Sequence, residues 1–251
     1  MFLFFWYTHA IVCRIPESFK TNAVGVSTQV DLSKARKQHE TYVATLREIG
    51  LDVIELPADE NHPDCTFVED VAVVCNGTAL LTRPGHPSRE KEVYTEINLS
   101  GKEFFVGLSS RTNQAGACAL ASAFPEFPCT PIKVEKSLHL KSAVTMAGPD
   151  VICVGNTPEA KDMLRRIERE ATFRYQTLTV PDEAAANVLF ANGFLIHKSA
   201  DEHPASAKVF EEKLSHWNLK PMAMSELAKA NGSLTCCSIL IRKTRHLKNI
   251  M

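Results

Sequence analysis

The chain carries no surplus of charge. Its 28 Lys and Arg residues against 29 Asp and Glu leave a formal net charge of -1, which argues against nucleic acid as the main partner, since phosphate binding needs a basic excess. The eight cysteines (Cys13, Cys65, Cys75, Cys118, Cys129, Cys153, Cys236 and Cys237) never take C-x-x-C spacing, so a zinc ribbon and a thioredoxin-like pair are excluded. Most lie in apolar runs and read as reduced core residues of a cytoplasmic protein rather than a disulfide framework. No two of the nine histidines have metal-site spacing, which leaves no metal centre to predict. A Gly-rich phosphate loop, a G-x-S-x-G elbow and a dinucleotide fingerprint are all missing. The apolar opening Met1-Phe-Leu-Phe-Phe-Trp-Tyr7 is too short to span a membrane and has no basic flank or cleavage pattern. It reads as an atypical leader into a first strand that continues to Cys13.

No Pro/Gly/Ser-rich break divides the 251 residues, and one domain over 1–251 is expected. Short apolar runs recur as strands: 51–56, 70–75, 78–82, 103–108, 143–146, 150–154, 187–190, 193–196 and 234–241. The pairs Asn76-Gly77 and Asn192-Gly193 predict hairpins, because both residue types accept positive φ. Helices are expected over 32–49, from Thr157-Pro158 onward, over 206–217 and over 225–230, the last opening on a capping serine. The pattern fits an α/β domain of repeated small ββαβ units better than a doubly wound sheet.

Three groups of residues could carry chemistry. The dipeptide Cys236-Cys237 closes a polar turn and begins the last apolar strand. Alternation along a strand would turn one sulfur to a cleft and the other to the core. Two buried, space-filling cysteines are the competing reading. The stretch Pro63-Asp-Cys-Thr-Phe-Val-Glu-Asp70 gathers Asp64, Glu69 and Asp70, suited to a planar cation or to a solvated acidic turn. Arg83, Arg89 and Arg111 stand in loops after strands, where an arginine can clamp a carboxylate or simply face water. His139, in Ser137-Leu-His-Leu-Lys141, is a proton carrier that a cysteine hydrolase would need, or a structural histidine.

Taken in order, Thr8-His-Ala-Ile-Val, Glu55-Leu-Pro-Ala-Asp-Glu, Pro63-Asp-Cys-Thr-Phe-Val-Glu-Asp, Leu81-Thr-Arg-Pro-Gly, Leu138-His-Leu-Lys-Ser, Met224-Ser-Glu-Leu and Leu234-Thr-Cys-Cys-Ser resemble the dimethylarginine dimethylaminohydrolase family of the pentein superfamily. The resemblance spans nearly the whole chain after residue 7. It implies a five-fold pseudo-symmetric α/β propeller with its active site at the centre. The implied reaction is hydrolysis of asymmetric dimethylarginine or monomethylarginine to citrulline, without metal or organic cofactor and away from membranes. Cys236 would be the nucleophile and His139 the general acid/base. Asp64 would hold the guanidinium, with Glu69 and Asp70 beside it, and Arg89 and Arg111 would clamp the substrate's carboxylate. Val24 and Ala230 match pocket-lining backbone positions, though they differ in type from the family pattern.

One stretch departs from that pattern. After Glu90-Lys-Glu-Val93 the chain passes through residues 94–101 straight to the Glu103 strand. The family places a helix, a strand and a Leu-Asp-Gly-Gly-Asp-type turn there, so about two dozen residues are missing and one unit of the propeller is incomplete. That turn holds the carboxylate that orients the histidine. A non-catalytic binder of arginine analogues, or a remnant that does not fold stably, are the alternatives this leaves open.

Overall fold

A computed structural model of the chain describes residues 6–26, 28–82, 97–99, 102–135 and 139–243. In chain order it contains β1 (His9–Cys13), α1 (Phe19–Asn22), α2 (Leu32–Glu48), β2 (Asp52–Leu56), β3 (Ala72–Cys75), β4 (Thr78–Leu81), β5 (Ile97–Leu99) and β6 (Phe104–Leu108). There follow α3 (Gln114–Ala123), β7 (Cys129–Lys133), β8 (Val144–Gly148), β9 (Val151–Gly155), α4 (Pro158–Glu170) and β10 (Gln176–Val180). The last elements are β11 (Leu189–Ala191), β12 (Phe194–Lys198), α5 (Pro204–Lys213), β13 (Asn218–Met222), α6 (Ser225–Ala228) and β14 (Ile239–Ile241).

Among the described residues the strands form five small separate sheets. Four share one plan, in which a middle strand pairs antiparallel on one side and parallel on the other. These are β14-β1-β2, β5-β6-β7, β8-β9-β10 and β11-β12-β13. In each, the parallel crossover carries a helix: α2, α3, α4 and α5 respectively. This is the repeated ββαβ unit expected from the sequence, arranged as in a propeller.

The fifth sheet is only the hairpin β3-β4. From the end of the middle strand to the next unit, the complete units use residues 14–71, 109–143, 156–188 and 199–238, whereas β4 is followed by 82–96 alone. That segment is less than half as long as the shortest of the others. The middle strands β1, β6, β9 and β12 are mostly buried, but β4 is largely exposed. Among the described residues β4 pairs only with β3, and the apolar side chain of Leu81 on it is exposed.

Local chemistry explains the elements. Asn76 and Gly77 have φ of 48° and 80°, and Asn192 and Gly193 have φ of 51° and 82°, which closes the β3-β4 and β11-β12 hairpins as expected. Asp31 caps α2 by accepting from Lys34 N at 3.0 Å, and Thr157 caps α4 by accepting from Ala160 N at 3.2 Å. Four expectations need correction. The third predicted helix begins at Pro204 rather than Ser206 and ends at Lys213, before Trp217, because Pro is favoured at the first helical position. Ser225 does not cap α6; the Glu202 carboxylate accepts from Met224 N and Ser225 N instead. Residues 68–71 and 235–237 are 3-10 turns rather than the beginnings of strands. Asn187 precedes β11 instead of opening it.

Candidate active site

The site starts from the two cysteines. They lie in the 3-10 turn Thr235–Cys237, not on a strand, yet their sulfurs still differ in environment. Cys237 is fully buried, its thiol donating to Ser233 O at 3.3 Å, whereas Cys236 is partly exposed. The turn is tied to α2 by Tyr42, whose hydroxyl donates to Leu234 O at 2.9 Å and lies 2.8 Å from Ser238 Oγ. All eight cysteines are free, in keeping with the absence of a disulfide framework.

Carboxylates surround Cys236. Burial pushes its thiol up to about 12, and the nearby charges of Asp70 and Glu69 push in the same direction, while Lys141 opposes them. Asp70 is buried at the end of the hairpin unit, where its carbonyl accepts from Thr82 Oγ1 at 2.9 Å. Glu69 receives the ammonium of Lys141. Burial raises the Glu69 carboxyl, and Lys141 and the Thr235 hydroxyl both pull it back down. Asp64 is 2 % exposed, and each of its carboxylate oxygens accepts from Val24 N at 3.1 Å.

His139 stands, half-buried, just before the 3-10 turn Leu140–Ser142, its carbonyl accepting from Ser142 N at 3.1 Å. Lys141, two residues on, carries this segment to Glu69, so the histidine loop and the carboxylate turn are joined directly. Ala230 is buried, and the turn after it meets the Val24 loop: a Cβ on Gly25 (φ +82) would lie 2.0 Å from Asn231 Nδ2. Only glycine permits that approach. Contacts thus join Val24 to Asp64, the Val24 loop to the turn after Ala230, and Glu69 to the His139–Lys141 segment, with the charges of Glu69 and Asp70 acting on Cys236.

Arg111 belongs to a different loop, after β6. Its backbone N donates to Ser109 Oγ at 3.0 Å, and its buried Nη1 has no hydrogen-bond partner among the described residues. Arg83 and Arg89 lie outside the described residues, as does the junction 94–101 apart from Ile97–Leu99. Sequence reasoning missed Lys141, Asn187, Thr235 and Tyr42 as parts of this cluster. Lys141 and Thr235 at least flank the predicted catalytic residues, whereas nothing local marks Asn187 or Tyr42. An open groove of about 370 Å³ lies elsewhere, lined by Leu164, Phe173, Arg174 and Tyr175 among others, and shares no residue with the cluster. Among the described residues no group of three or more metal-ligating side chains comes together, and no helix is long and apolar enough to cross a membrane.

No protein-family model matches the chain. It is 31% identical over 275 residues to the protein named DDAH2 from Bos taurus, covering 95% of this chain and 96% of that protein. It is also 31% identical over 245 residues to the N(G),N(G)-dimethylarginine dimethylaminohydrolase of Streptomyces coelicolor, covering 86% of this chain and 89% of that one. Among solved structures, the Pseudomonas aeruginosa enzyme of that name, a serine-for-cysteine mutant complexed with citrulline, superposes with a TM-score of 0.79 at 23% identity. That match covers 94% of this chain and 100% of the other. The N-terminal domain of the cyanobacterial arginine dihydrolase ArgZ shares the fold at a TM-score of 0.79 and 15% identity, covering 94% and 98% of the two chains. With this architecture and relatives aligned along nearly its whole length, the chain belongs to the dimethylarginine dimethylaminohydrolase family.

Proposed function

We propose that this chain hydrolyses N-methylated arginines, asymmetric dimethylarginine and monomethylarginine, to citrulline and the methylated amine. The observation that carries the assignment to particular residues is the Cys236 thiol, on a residue that is itself partly exposed, set against the charges of Glu69 and Asp70. Buried acidic neighbours make a poor place for a resting thiolate and a good one for a cation. A guanidinium bound there reverses the local field, and the thiolate forms when substrate is present. A protein that merely sequestered arginine analogues would need no thiol at this point.

The steps follow from the residues at hand. Cys236 Sγ attacks the guanidinium carbon, and an S–C bond forms. His139, protonated, gives its proton to the methylated nitrogen, and the C–N bond breaks with release of the amine. Neutral His139 then takes a proton from water as the water attacks the same carbon. The S–C bond breaks, the thiolate leaves, the new hydroxyl gives its proton to solvent, and the ureido group of citrulline remains. That group is neutral, so the attraction of Asp64, Glu69 and Asp70 for the substrate's cationic end ends with turnover. The unpartnered Nη1 of Arg111 suits a clamp on the substrate's carboxylate, with Arg89 as its companion, and Val24 and Ala230 contribute backbone to the pocket wall.

The unit missing after Val93 belongs to this reading as well. The shortness of 82–96 beside the other crossovers supports it. So does an alignment with the Bos taurus relative that runs over 275 positions, more than the 251 this chain possesses. The family's orienting carboxylate belongs to that unit, so turnover should fall below that of a member that retains it.

Citrulline formation from asymmetric dimethylarginine tests the assignment. The chain should produce citrulline and dimethylamine in equal amounts, and His139→Ala should abolish production while binding persists. Undiminished turnover by His139→Ala would overturn the role given to that residue. Ligand binding with no citrulline from the unaltered chain would overturn the hydrolase assignment.

A further inference from the structure

We infer that Asn187 is a positioning residue that holds the Cys236 turn and the His139 segment in register, an inference that builds on the hydrolase reading above. Asn187 is 2 % exposed and lies on neither segment, in the connection between the turn 183–186 and β11. Its Nδ2 donates to Lys141 O at 3.0 Å and to Thr235 Oγ1 at 3.0 Å, and its Oδ1 accepts from Thr235 N at 3.1 Å. Lys141 is two residues from His139, and Thr235 adjoins Cys236. One amide thus grips both segments within a residue or two of the proposed nucleophile and proton carrier.

The grip closes into a ring. Thr235 Oγ1 accepts from Asn187 and so can direct its own hydrogen to the Glu69 carboxylate, which it pulls down in pKa. Glu69 in turn holds the ammonium of Lys141, whose carbonyl returns to Asn187. The ring fixes the amide's orientation. Flipped, Nδ2 would face the Thr235 N–H and Oδ1 would face the Lys141 carbonyl, a repulsive contact at both ends. Two donors and one acceptor at this reach are a pattern that only an asparagine side chain supplies; Asp cannot donate, and Gln is longer by a methylene.

The backbone on either side of Asn187 is pinned as well. Thr145 Oγ1 donates to Ala186 O at 2.6 Å and accepts from Val188 N at 3.2 Å. Thr145 sits on β8, in the sheet next along the chain from the His139 segment. The amide is therefore held from outside before it holds anything else, which is the arrangement that precise placement of reacting groups requires. The ring spans both segments of the proposed reaction.

The test uses the full chain with Asn187→Asp, Asn187→Ala, Thr235→Val and Thr235→Ser. With asymmetric dimethylarginine, the two Asn187 variants and Thr235→Val should lose about 10²-fold in kcat, the cost of a misplacement near 1 Å, with KM changed less than about threefold. Thr235→Ser, which keeps the hydroxyl, should recover most of what Thr235→Val loses. Alkylation of Cys236 by iodoacetamide is followed in parallel, with exposed Cys118 as internal reference. Freed from Lys141, Cys236 should alkylate more slowly, with its pH profile displaced upward, while Cys118 is unchanged. Variants that melt earlier but keep kcat and the Cys236 alkylation profile would overturn the inference. If the unaltered chain makes no citrulline, the hydrolase reading fails, and the alkylation profiles alone still decide the role of Asn187.

Discussion

Lys141 rests its ammonium on the Glu69 carboxylate at a point where both side chains are mostly enclosed, 17% and 22% exposed. The pair joins the histidine segment to the acidic turn. Lys141→Met leaves a carboxyl already raised by burial without its main counter-charge. Protonation removes the uncompensated charge, so the loss is greatest at neutral and higher pH and shrinks as pH falls through the folded-state pKa of Glu69. The expected cost is about 2 kcal/mol at neutral pH, below the range for fully buried pairs because water reaches this one. Urea unfolding at pH 8 and pH 5 checks it, and the deficit should be smaller at pH 5.

A second pH effect comes from His39 on the inner face of α2. It is 4% exposed, its Nε2 has no partner, and burial pushes its imidazole down to about 4. The unfolded residue titrates near 6.5. Between those values the unfolded chain binds a proton that the folded chain refuses, so stability falls as pH drops, by up to about 1.4 kcal/mol per pH unit. His39→Leu should flatten that decline. The difference between pH 7 and pH 5 should shrink by at least about 1 kcal/mol in the variant, as read by urea unfolding.

Asn192 joins three distant pieces of chain. Its side chain donates to Tyr7 O and Ile49 O, each at 3.1 Å, and accepts from Tyr7 N at 2.7 Å, while its backbone sits at φ 51° in the hairpin turn. Asn192→Ala loses the bonds and adds left-handed strain, for about 3 kcal/mol in all. Asn192→Gly loses the bonds without that strain and should be the milder change, a ranking that paired Tm measurements settle.

The exposed apolar side chain on β4 has a measurable consequence. Leu81 is 70% exposed there, so Leu81→Lys should alter stability by no more than about 0.5 kcal/mol. It should also reduce concentration-dependent light scattering, since a lysine on a strand edge opposes edge-to-edge pairing. The unaltered chain should melt in one cooperative transition. A broad melt with strong hydrophobic-dye binding would place it among the unstable remnants instead.

How far the fold could be read depended on which strand was in question. The middle and antiparallel strands are short apolar runs beside Asn-Gly turns, and most were legible. The outer parallel strands β7, β10 and β13 were not, since they read Cys-Thr-Pro-Ile-Lys, Gln-Thr-Leu-Thr-Val and Asn-Leu-Lys-Pro-Met. Pro131 and Pro221 are tolerated there because each lies on an outer strand, where one edge has no ladder bond to lose. Helix α3 was missed because its Ala-rich stretch lacks an amphipathic stripe, although Asn113 caps it by accepting from Gly116 N at 3.0 Å.

The site was legible where chemistry and sequence neighbourhood coincide. Asp64, Glu69 and Asp70 lie within one short stretch of sequence, and Cys236 was singled out by its polar flank. Its 3-10 geometry was hidden because Leu234 to Ile241 has the apolar composition of a strand, while the break comes from distant partners, Tyr42 and Asn187. Asn187 itself looks like any residue before an apolar run. Its importance arises from residues 46 and 48 positions away in the chain.

In the proposed reaction Cys236 Sγ bonds to the amidine carbon during turnover. The chain is mixed with asymmetric dimethylarginine, quenched in acid within the first turnovers and mapped by peptide mass spectrometry. A covalent adduct of the substrate's amidine on the peptide containing residue 236, missing from Cys236→Ser together with citrulline formation, is the predicted result. Citrulline produced at an undiminished rate by Cys236→Ser, or an adduct found only on another cysteine, would contradict it.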